Sequence, residues 1–164
     1  VVLYNVPSRT GVSLHPEVIT NLFDHKNLWA LKEASGSIEE FKNYKEKMQH
    51  KPIFCGDDGL MNDFAKYGSR GLISVASNVW PKETNLYVLK CLAQRLENQE
   101  VWTKAVDSLF EVSNPIPTKK LLFVQKRIST SVLALPLTDT ELCKTINQQQ
   151  ADNDIQKWFK EFGE

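Results

Sequence analysis

Short apolar segments alternate with helical patterns along the first part of this 164-residue chain, and this alternation constrains the fold more than any other feature. Within each apolar segment, apolar and polar residues do not alternate. Such segments are expected to be buried on both faces, as the strands of parallel sheets are. The spacing predicts four strands, at Val1–Val6, Leu28–Lys32, Pro52–Cys55 and Gly71–Val75.

Helices are predicted between and after these strands from their start signals. Pro16 suits a first helical position, and Ser37 with Glu40 has the spacing of a capping box. Asp57 or Asp58 can cap the helix after the third strand. After about residue 98 the strand patterns cease, and helices are predicted over residues 100–112, 117–128, 138–149 and 154–162. Strands that alternate with helices in this way predict a parallel sheet with helices outside it.

The first strand decides between two α/β architectures. A strand buried on both faces needs partners on both edges, and Val1–Val6 has a partner from this chain only on the Leu28 side. A closed barrel of eight βα units would supply the second partner, and four units are predicted here. We therefore interpret residues 1–97 as the second half of a (β/α)8 TIM barrel and residues 98–164 as a C-terminal helical region, so that the sequence is the C-terminal part of a longer protein. The alternative is an open four-stranded doubly wound sheet that is complete as it stands.

Charge and cysteine content argue against several function classes. Twenty Lys and Arg balance twenty Asp and Glu, which argues against broad binding to nucleic acid or to an anionic membrane. No apolar segment approaches the length of a membrane span. Cys55, Cys91 and Cys143 form no CxxC or CxxH pair, and no histidine has a second ligand at metal spacing. We therefore expect a cytoplasmic protein with reduced thiols and no metal site.

Lys32 points most directly to a reaction. It closes a predicted apolar strand, and in a barrel the reacting groups lie at the carboxyl ends of the strands. Loss of water around its ammonium would favour the neutral amine, which adds to a carbonyl carbon and forms a Schiff base. The alternative is a lysine that extends into bulk water or pairs with Glu33. Glu33 points to the other face of the strand and is a poor candidate for a base that acts on the same carbon.

Tyr4 lies 28 residues before Lys32, one βα unit earlier in the chain. Equivalent ends of neighbouring parallel strands lie about 5 Å apart, so the phenol could reach the amine or its adduct. Formation of a Schiff base requires protons to move on and off the carbinolamine, and a tyrosine hydroxyl can relay them. The alternative is a core tyrosine whose hydroxyl is satisfied at the rim of the sheet.

Further residues near the predicted strand ends could bind a substrate. Arg9 follows the first strand, where a guanidinium could bind a carboxylate through two parallel hydrogen bonds, although a surface arginine in a turn is the alternative. Gly56 follows the third strand, and its missing side chain would admit a small substrate or serve only the turn into the next helix. Ile73 lies where the fourth strand ends. The adjacent acids Asp57 and Asp58 suggest a helix cap rather than a metal site.

Five segments carry a resemblance to a known family: LYNVPSRTG (Leu3–Gly11), KEASG (Lys32–Gly36), GDD (Gly56–Asp58), GLISVASNVWP (Gly71–Pro81) and NPIP (Asn114–Pro117). In their order and spacing, over about residues 1–137, they resemble the dihydrodipicolinate synthases, also called 4-hydroxy-tetrahydrodipicolinate synthases. The Tyr-Asn-x-Pro and Lys-Glu-Ala elements are typical of the wider superfamily of pyruvate-dependent lyases. The Ser-Arg-Thr-Gly element, with its arginine, points to the synthases.

The resemblance implies a (β/α)8 barrel with a C-terminal helical domain, usually assembled as a tetramer. It implies an enzyme of lysine (diaminopimelate) biosynthesis that condenses pyruvate with aspartate semialdehyde and needs no metal or organic cofactor. By resemblance, Lys32 is the Schiff-base lysine and Tyr4 is the proton-relay tyrosine. Arg9 matches an arginine that helps to bind the carboxylate of aspartate semialdehyde, and Ile73 matches a strand-end residue whose main chain contacts pyruvate.

The sequence also departs from the family pattern. The first four βα units are absent, and with them a Gly-Thr-Thr-Gly loop that holds the pyruvate carboxylate, a second tyrosine supplied across a subunit interface and the lysine-feedback site. Leu133 and Ala134 replace the arginine that is usual before "LPL". We therefore expect the parent protein to be an enzyme and this chain alone to be inactive. The alternatives are an N-acetylneuraminate lyase or another pyruvate-dependent aldolase, against which Arg9 argues, and a non-catalytic half-barrel assembly module.

Overall fold

The computed structural model describes residues 1–138, 140 and 148–163 of an α/β chain. Among the described residues, no helix combines the length and the apolar character needed to cross a lipid bilayer. The elements in chain order are β1 (Val2–Asn5), α1 (Pro7–Thr10), α2 (Pro16–Leu22), β2 (Ala30–Glu33), α3 (Ile38–Met48), β3 (Ile53–Cys55), α4 (Met61–Lys66), a 3-10 helix (Ala76–Asn78), α5 (Pro81–Leu92), α6 (Gln99–Asp107), α7 (Ile116–Val124) and α8 (Gln148–Phe162).

The chain folds into two compact units that are interleaved in sequence. The first unit comprises Val1–Ser74 and Val88–Arg95, and the second comprises Val75–Tyr87 and the described residues from Leu96 onward. Helix α5 is divided between them, with its residues up to Tyr87 in the second unit and those from Val88 in the first. All five predicted site residues lie in the first unit. The predicted division of the chain between residues 97 and 98 stays a prediction.

The three strands form a parallel sheet in the order β1-β2-β3. The register pairs Tyr4 with Lys32, and Lys32 with Phe54. Because successive side chains of a strand point to opposite faces, these three residues share one face of the sheet. The other face carries Leu3, Asn5, Leu31, Glu33, Ile53 and Cys55. β1 lies at the edge of this sheet and pairs on the side of the second strand, as predicted.

The two faces of the sheet differ in burial. On the second face Leu31, Glu33 and Ile53 are fully buried, whereas on the first face Tyr4 is 42% exposed. Helix α3 lies against the buried face, where Asn5 of β1 hydrogen-bonds Glu40. The prediction that the first strand is buried on both faces is therefore wrong for the described residues, because their helices cover only one face of β1.

The prediction of a fourth strand at Gly71–Val75 is wrong, because this segment forms no strand in the structure. One isolated parallel bridge joins Leu72 to Cys55. The segment still lies alongside β3, to which two backbone hydrogen bonds join it. The Cys55 N–H donates to Gly71 O over 2.9 Å, and the Ile73 N–H donates to Cys55 O over 2.8 Å. The chain then turns into the 3-10 helix at Ala76, which ends the extended conformation. In the described residues the sheet therefore has three strands, and a four-stranded open sheet is not found.

The starts of α2 and α3 agree with the predicted signals in part. α2 begins at Pro16, as predicted. The Ser37 hydroxyl accepts the Glu40 N–H over 3.2 Å and so caps α3. The second hydrogen bond of a capping box is absent, because the Ser37 N–H donates instead to Ser35 Oγ over 3.1 Å. The Glu40 carboxylate is thereby left to bind elsewhere.

The predicted cap of α4 is wrong. The Asp57 carboxylate accepts the Gly59 N–H over 3.0 Å in the preceding turn, and the helix starts only after Leu60. Helices α6 and α7 confirm two of the later predictions with shifted ends. The helix predicted over residues 138–149 lies mainly outside the described residues. The last helix is longer than predicted, because α8 begins at Gln148.

Aromatic side chains form the core of the second unit. Trp102 of α6 stacks on Tyr87 with 4.0 Å between ring centroids, and Trp158 of α8 lies 6.2 Å from Trp102. Asp152 of α8 accepts hydrogen bonds from the Trp80 indole over 2.7 Å and from Gln125 over 2.8 Å. Stacked rings and a shared carboxylate therefore hold α8 to the rest of this unit.

The buried hydroxyl of Ser69 generates a stability prediction, because it holds the segment that replaces the fourth strand. It accepts the Cys55 N–H over 3.1 Å and donates to Gly71 O over 3.0 Å. Ser69→Ala is expected to lower the free energy of unfolding by about 1–2 kcal/mol, since buried polar groups lose a partner. Urea unfolding measures the loss. The control Ser129→Ala, at an exposed position, should change stability by less than about 0.5 kcal/mol. Equal losses in the two variants would contradict this role of Ser69.

Candidate functional site

The predicted lysine and tyrosine lie side by side on the more open face of the sheet. The register pairs Tyr4 directly with Lys32, and the Lys32 Nζ atom lies 4.0 Å from the centroid of the tyrosine ring. A cation over an aromatic face is attracted by the ring quadrupole, which holds the amine at this place. Lys32 is half-buried, and its amine makes no hydrogen bond or ion pair with the described residues. The pair is therefore accessible to a small molecule.

Gly56 lies beneath the side chain of Lys32. A Cβ atom at this position would lie 2.8 Å from Lys32 Cε, 2.8 Å from Ala34 Cβ and 3.1 Å from Glu33 O. The Gly56 N–H donates to Glu33 O over 2.7 Å, which holds its backbone against the end of β2. The glycine is therefore needed for room around the lysine side chain, a contact that the sequence did not predict.

Arg9 and Ile73 lie near strand ends, and the structure joins neither to Lys32 by a hydrogen bond or an ion pair among the described residues. Arg9 is exposed on α1, which is capped by Gly11 at a φ of 76°. Its guanidinium has no carboxylate partner in the described part of the chain. Ile73 is 40% exposed, and its amide is bonded to Cys55 O. Any main-chain contact from Ile73 to a ligand would therefore come from its carbonyl oxygen.

A buried pair on the face of the sheet opposite to Lys32 and Tyr4 was not predicted. The Asn5 side-chain amide donates to Glu33 Oε2 over 2.9 Å, and the Ser35 N–H donates to Glu33 Oε1 over 2.7 Å. Asn5 is 1% exposed and Glu33 is fully buried. The Glu33 carboxylate is therefore used on the face away from Lys32, as the alternation of side chains predicted. The available sequence signal for such a pair was Asn5 inside the first predicted strand and Glu33 directly after the second.

The same amide also reaches helix α3 and the segment before α2. Asn5 Nδ2 donates to Glu40 Oε2 over 3.0 Å, and Asn5 Oδ1 accepts the Leu14 N–H over 2.9 Å. The Ser13 hydroxyl donates to Glu40 Oε1 over 3.2 Å, and the Tyr44 hydroxyl donates to Leu14 O. One asparagine side chain thus links the end of β1 to β2, to α3 and to the residues that follow α1.

Burial dominates the electrostatics of this pair. Desolvation raises the pKa of Glu33, and the hydrogen bonds from Ser35 and Asn5 offset only part of that rise. Desolvation, together with the negative charges of Glu33 and Glu40, raises the pKa of Tyr44 to about 12. The Tyr44 phenol is therefore protonated at neutral pH and acts as a hydrogen-bond donor.

Metal ligands are not clustered in the part of the chain that the structure describes, where no group of three or more His, Cys, Asp and Glu could hold an ion. Cys55 and Cys91 are buried. Burial raises the pKa of the Cys55 thiol, so its sulfur is protonated and its nucleophilicity is low. Cys55 is therefore a poor candidate nucleophile.

Comparison with known proteins decides the family. A model of the dihydrodipicolinate synthetase family matches residues 1–156. The chain belongs to this family. The match extends past residue 137, where the motif resemblance ended, and it confirms the family predicted from the five segments.

Two kinds of relative support this membership of the dihydrodipicolinate synthetase family. The 4-hydroxy-tetrahydrodipicolinate synthase of Francisella tularensis subsp. novicida (strain U112) is 46% identical over 159 residues, 96% of this chain and 54% of that protein. The solved structure of the synthase from Methylacidiphilum fumariolicum SolV superposes with a TM-score of 0.84 at 25% identity, over 99% of this chain and 56% of that one. The chain thus spans about half the length of the relatives that it matches.

A second solved structure is that of a relative with a small molecule bound. It is the chloride-inhibited dihydrodipicolinate synthase from Acinetobacter baumannii, complexed with pyruvate. Its TM-score is 0.77 at 28% identity, and the match covers 99% of this chain and 55% of that one.

Gly56 generates a prediction for this member of the family. Gly56→Ala is expected to lower the free energy of unfolding by about 1–3 kcal/mol, because the new methyl group overlaps Lys32 Cε and Ala34 Cβ. Denaturant unfolding measures the change. Gly59→Ala is the matched control in the next turn, where the nearest atom to the added Cβ would be Asp57 Oδ1 at 3.6 Å. A Gly56→Ala variant as stable as Gly59→Ala would show that the space around Lys32 can relax.

Proposed function

We propose that the intact protein that contains this chain is a 4-hydroxy-tetrahydrodipicolinate synthase. It is a class I, Schiff-base-forming lyase that condenses pyruvate with aspartate semialdehyde in lysine (diaminopimelate) biosynthesis. The observation that carries the proposal is the Lys32 amine 4.0 Å from the ring centroid of Tyr4, at the carboxyl ends of two neighbouring parallel strands. Membership of the family and the pyruvate in the Acinetobacter baumannii relative support it.

Lys32 is the proposed nucleophile. Its neutral amine attacks the ketone carbon of pyruvate, and the carbinolamine loses water to give a Schiff base. Loss of a proton from the pyruvate methyl group gives an enamine, whose carbon attacks the aldehyde carbon of aspartate semialdehyde. The adduct then cyclises when its own amino group displaces the lysine nitrogen, which frees Lys32. Every bond change uses the two substrates, water and the lysine, so the proposal requires no metal or organic cofactor.

Tyr4 is the proposed proton relay. Conversion of the carbinolamine to the Schiff base requires a proton on the departing hydroxyl, and a phenol beside the amine can deliver it. The pairing of Tyr4 with Lys32 in the sheet register supports this role, since both side chains leave the sheet at the same level and on the same face.

Arg9, Ile73 and Gly56 are the proposed substrate-binding residues. Arg9 is an exposed guanidinium without a carboxylate partner among the described residues, which leaves it available to the carboxylate of aspartate semialdehyde. The Ile73 carbonyl is proposed to contact pyruvate, because its amide is already bonded. Gly56 keeps the space around the lysine side chain open.

The assembly is part of the proposal. We propose that residues 1–97 form the second half of a (β/α)8 barrel, that residues 98–164 form the helical region after it, and that the intact protein is a cytoplasmic homotetramer. Partly exposed Val2 and Tyr4 on the face that carries Lys32 support a further layer over that face. Without such a layer water has access to the amine, so this chain alone is expected to be inactive.

Trapping of the Schiff base tests the lysine. The intact protein, incubated with pyruvate and borohydride and then digested, is expected to carry a reduced pyruvate adduct on the peptide that contains Lys32. Lys32→Arg should abolish the adduct, because a guanidinium does not form the Schiff base. Lys42→Arg is the matched control: the Lys42 amine also lies over a tyrosine ring, 4.1 Å from the centroid of Tyr67. Adduct on another lysine, or none, would refute the assignment, and turnover of N-acetylneuraminate but not aspartate semialdehyde would favour the lyase alternative.

Substitution of the phenol tests the relay. Tyr4→Phe keeps the ring beside Lys32 and removes the hydroxyl, so kcat is expected to fall by about 10²-fold or more, while pyruvate still forms a trappable adduct more slowly. Steady-state kinetics with both substrates give kcat and KM. Tyr67→Phe, the corresponding change in the Lys42–Tyr67 pair, should leave kcat unchanged. A Tyr4→Phe variant with full kcat would remove Tyr4 from the mechanism.

A further inference from the structure

We propose that Asn5 and Glu33 are positioning residues, whose buried side-chain hydrogen bond holds the ends of β1 and β2 together so that Tyr4 stays against Lys32. This inference rests on the proposed reaction at Lys32. It assigns no contact with substrate to either residue, because both side chains lie on the face of the sheet opposite to the lysine.

The sheet register is the first step of the argument. Asn5 and Glu33 each directly follow a reactive residue in the chain, and the register pairs them with each other as it pairs Tyr4 with Lys32. The reactive pair therefore lies on one face, and the polar pair lies one residue further on the other face. A side-chain bond of 2.9 Å between Asn5 and Glu33 consequently restrains the relative position of the two backbones that carry the reactive groups.

The edge position of β1 makes that restraint important. β1 bonds to β2 in the described sheet, and its last backbone bond is the Ala34 N–H to Asn5 O, 2.9 Å. Beyond Asn5 the chain turns into α1, so the ladder stops at the level of the site. Asn5 and Glu33 are 1% and 0% exposed, and a hydrogen bond to a carboxylate is stronger where water is excluded.

The asparagine also connects the site to elements outside the sheet. Its Nδ2 group donates to Glu40 of α3 over 3.0 Å as well as to Glu33, and its Oδ1 atom accepts the Leu14 N–H over 2.9 Å. The segment between Arg9 and Leu14 is therefore tied at one end to the same residue. A change at Asn5 is expected to move the end of β1 and this segment together.

The charges explain why an amide is needed at position 5. Asn5 Nδ2 lies between two carboxylates, those of Glu33 and Glu40, and donates to both. An aspartate at this position would keep the acceptor for Leu14 but would replace the donor by a third carboxylate. Burial already raises the pKa of Glu33, so a further negative charge beside it is strongly unfavourable. Asn5→Asp is therefore a nearly isosteric change that specifically breaks the pair.

The experiment compares Asn5→Asp with a double variant, Asn5→Asp combined with Glu33→Gln, in the intact protein. The single change is expected to lower kcat by about 10²-fold, because a displacement of about 1 Å at reacting groups has such an effect, with a much smaller change in KM for pyruvate. In the double variant the amide introduced by Glu33→Gln can donate to the carboxylate introduced by Asn5→Asp, while the amide oxygen still accepts the Ser35 N–H. Part of the lost kcat should therefore return. The rate of borohydride-trapped adduct formation at Lys32 should follow kcat.

Controls separate positioning from a general loss of stability. Ile19→Val removes one methylene from the fully buried residue of α2 and is expected to lower the melting temperature without altering any group that hydrogen-bonds Asn5 or Glu33. Glu39→Gln changes an exposed carboxylate on α3, next to Glu40. Both variants should keep the wild-type kcat at a temperature where each is folded. If Asn5→Asp does not fold, Glu33→Gln alone is tested in its place. With its amide oxygen accepting the Ser35 N–H, the new NH2 group would face the NH2 group of Asn5, and the hydrogen bond between the two side chains would be lost.

Two results would overturn the inference while leaving the proposed function intact. One is a wild-type kcat in Asn5→Asp, or in Glu33→Gln when that variant replaces it. The other is a double variant whose kcat is no higher than that of the single variant. A wild-type protein that traps no pyruvate at Lys32 would instead overturn the proposed function, and this inference with it.

Discussion

The parallel pairing of β1 with β2 is the interaction on which the rest of the site depends. It sets Tyr4 beside Lys32 on one face and Asn5 beside Glu33 on the other. The first pair supplies an amine with a phenol ring at 4.0 Å, and the second supplies a buried hydrogen bond of 2.9 Å. Because a slip of one residue would send every side chain of β1 to the opposite face, the Tyr4–Lys32 pair and the Asn5–Glu33 pair exist only in this register.

Burial divides the roles of the two ionisable neighbours Lys32 and Glu33. The lysine is half-buried on a partly open face, and its amine makes no hydrogen bond among the described residues. The glutamate is fully buried, and its carboxylate is used by Asn5 and Ser35. Adjacent positions of one strand thus meet different environments, because the pleat directs their side chains to opposite faces of the sheet. This separation suits the two roles that we propose, a nucleophile at Lys32 and a positioning residue at Glu33.

Several elements could be predicted from the sequence because their signals are local. Three of the four predicted strands are found within two residues of the predicted ends, and Pro16 and Ser37 start their helices as expected. The errors arose where a tertiary contact competed with the local pattern. The segment around Leu72 lies alongside β3 and forms one β-bridge with it before the chain turns into a 3-10 helix. The Glu40 side chain accepts hydrogen bonds from Asn5 and Ser13 and does not complete the capping box.

The sequence by itself determined the family, through five motif segments that resemble it. It also determined the parallel strand–helix alternation and the proposal of Lys32 and Tyr4, because apolar spacing and strand-end position are properties of a linear chain. Only the tertiary structure decided that Gly56 lies against the lysine side chain and that Asn5 joins Glu33, Glu40 and Leu14. These contacts join residues from different elements, between 9 and 35 positions apart for the asparagine bonds, and local patterns do not encode which distant donor meets which acceptor. Packing of α3 against the sheet makes that choice, since it removes water and leaves each buried polar group in need of a partner.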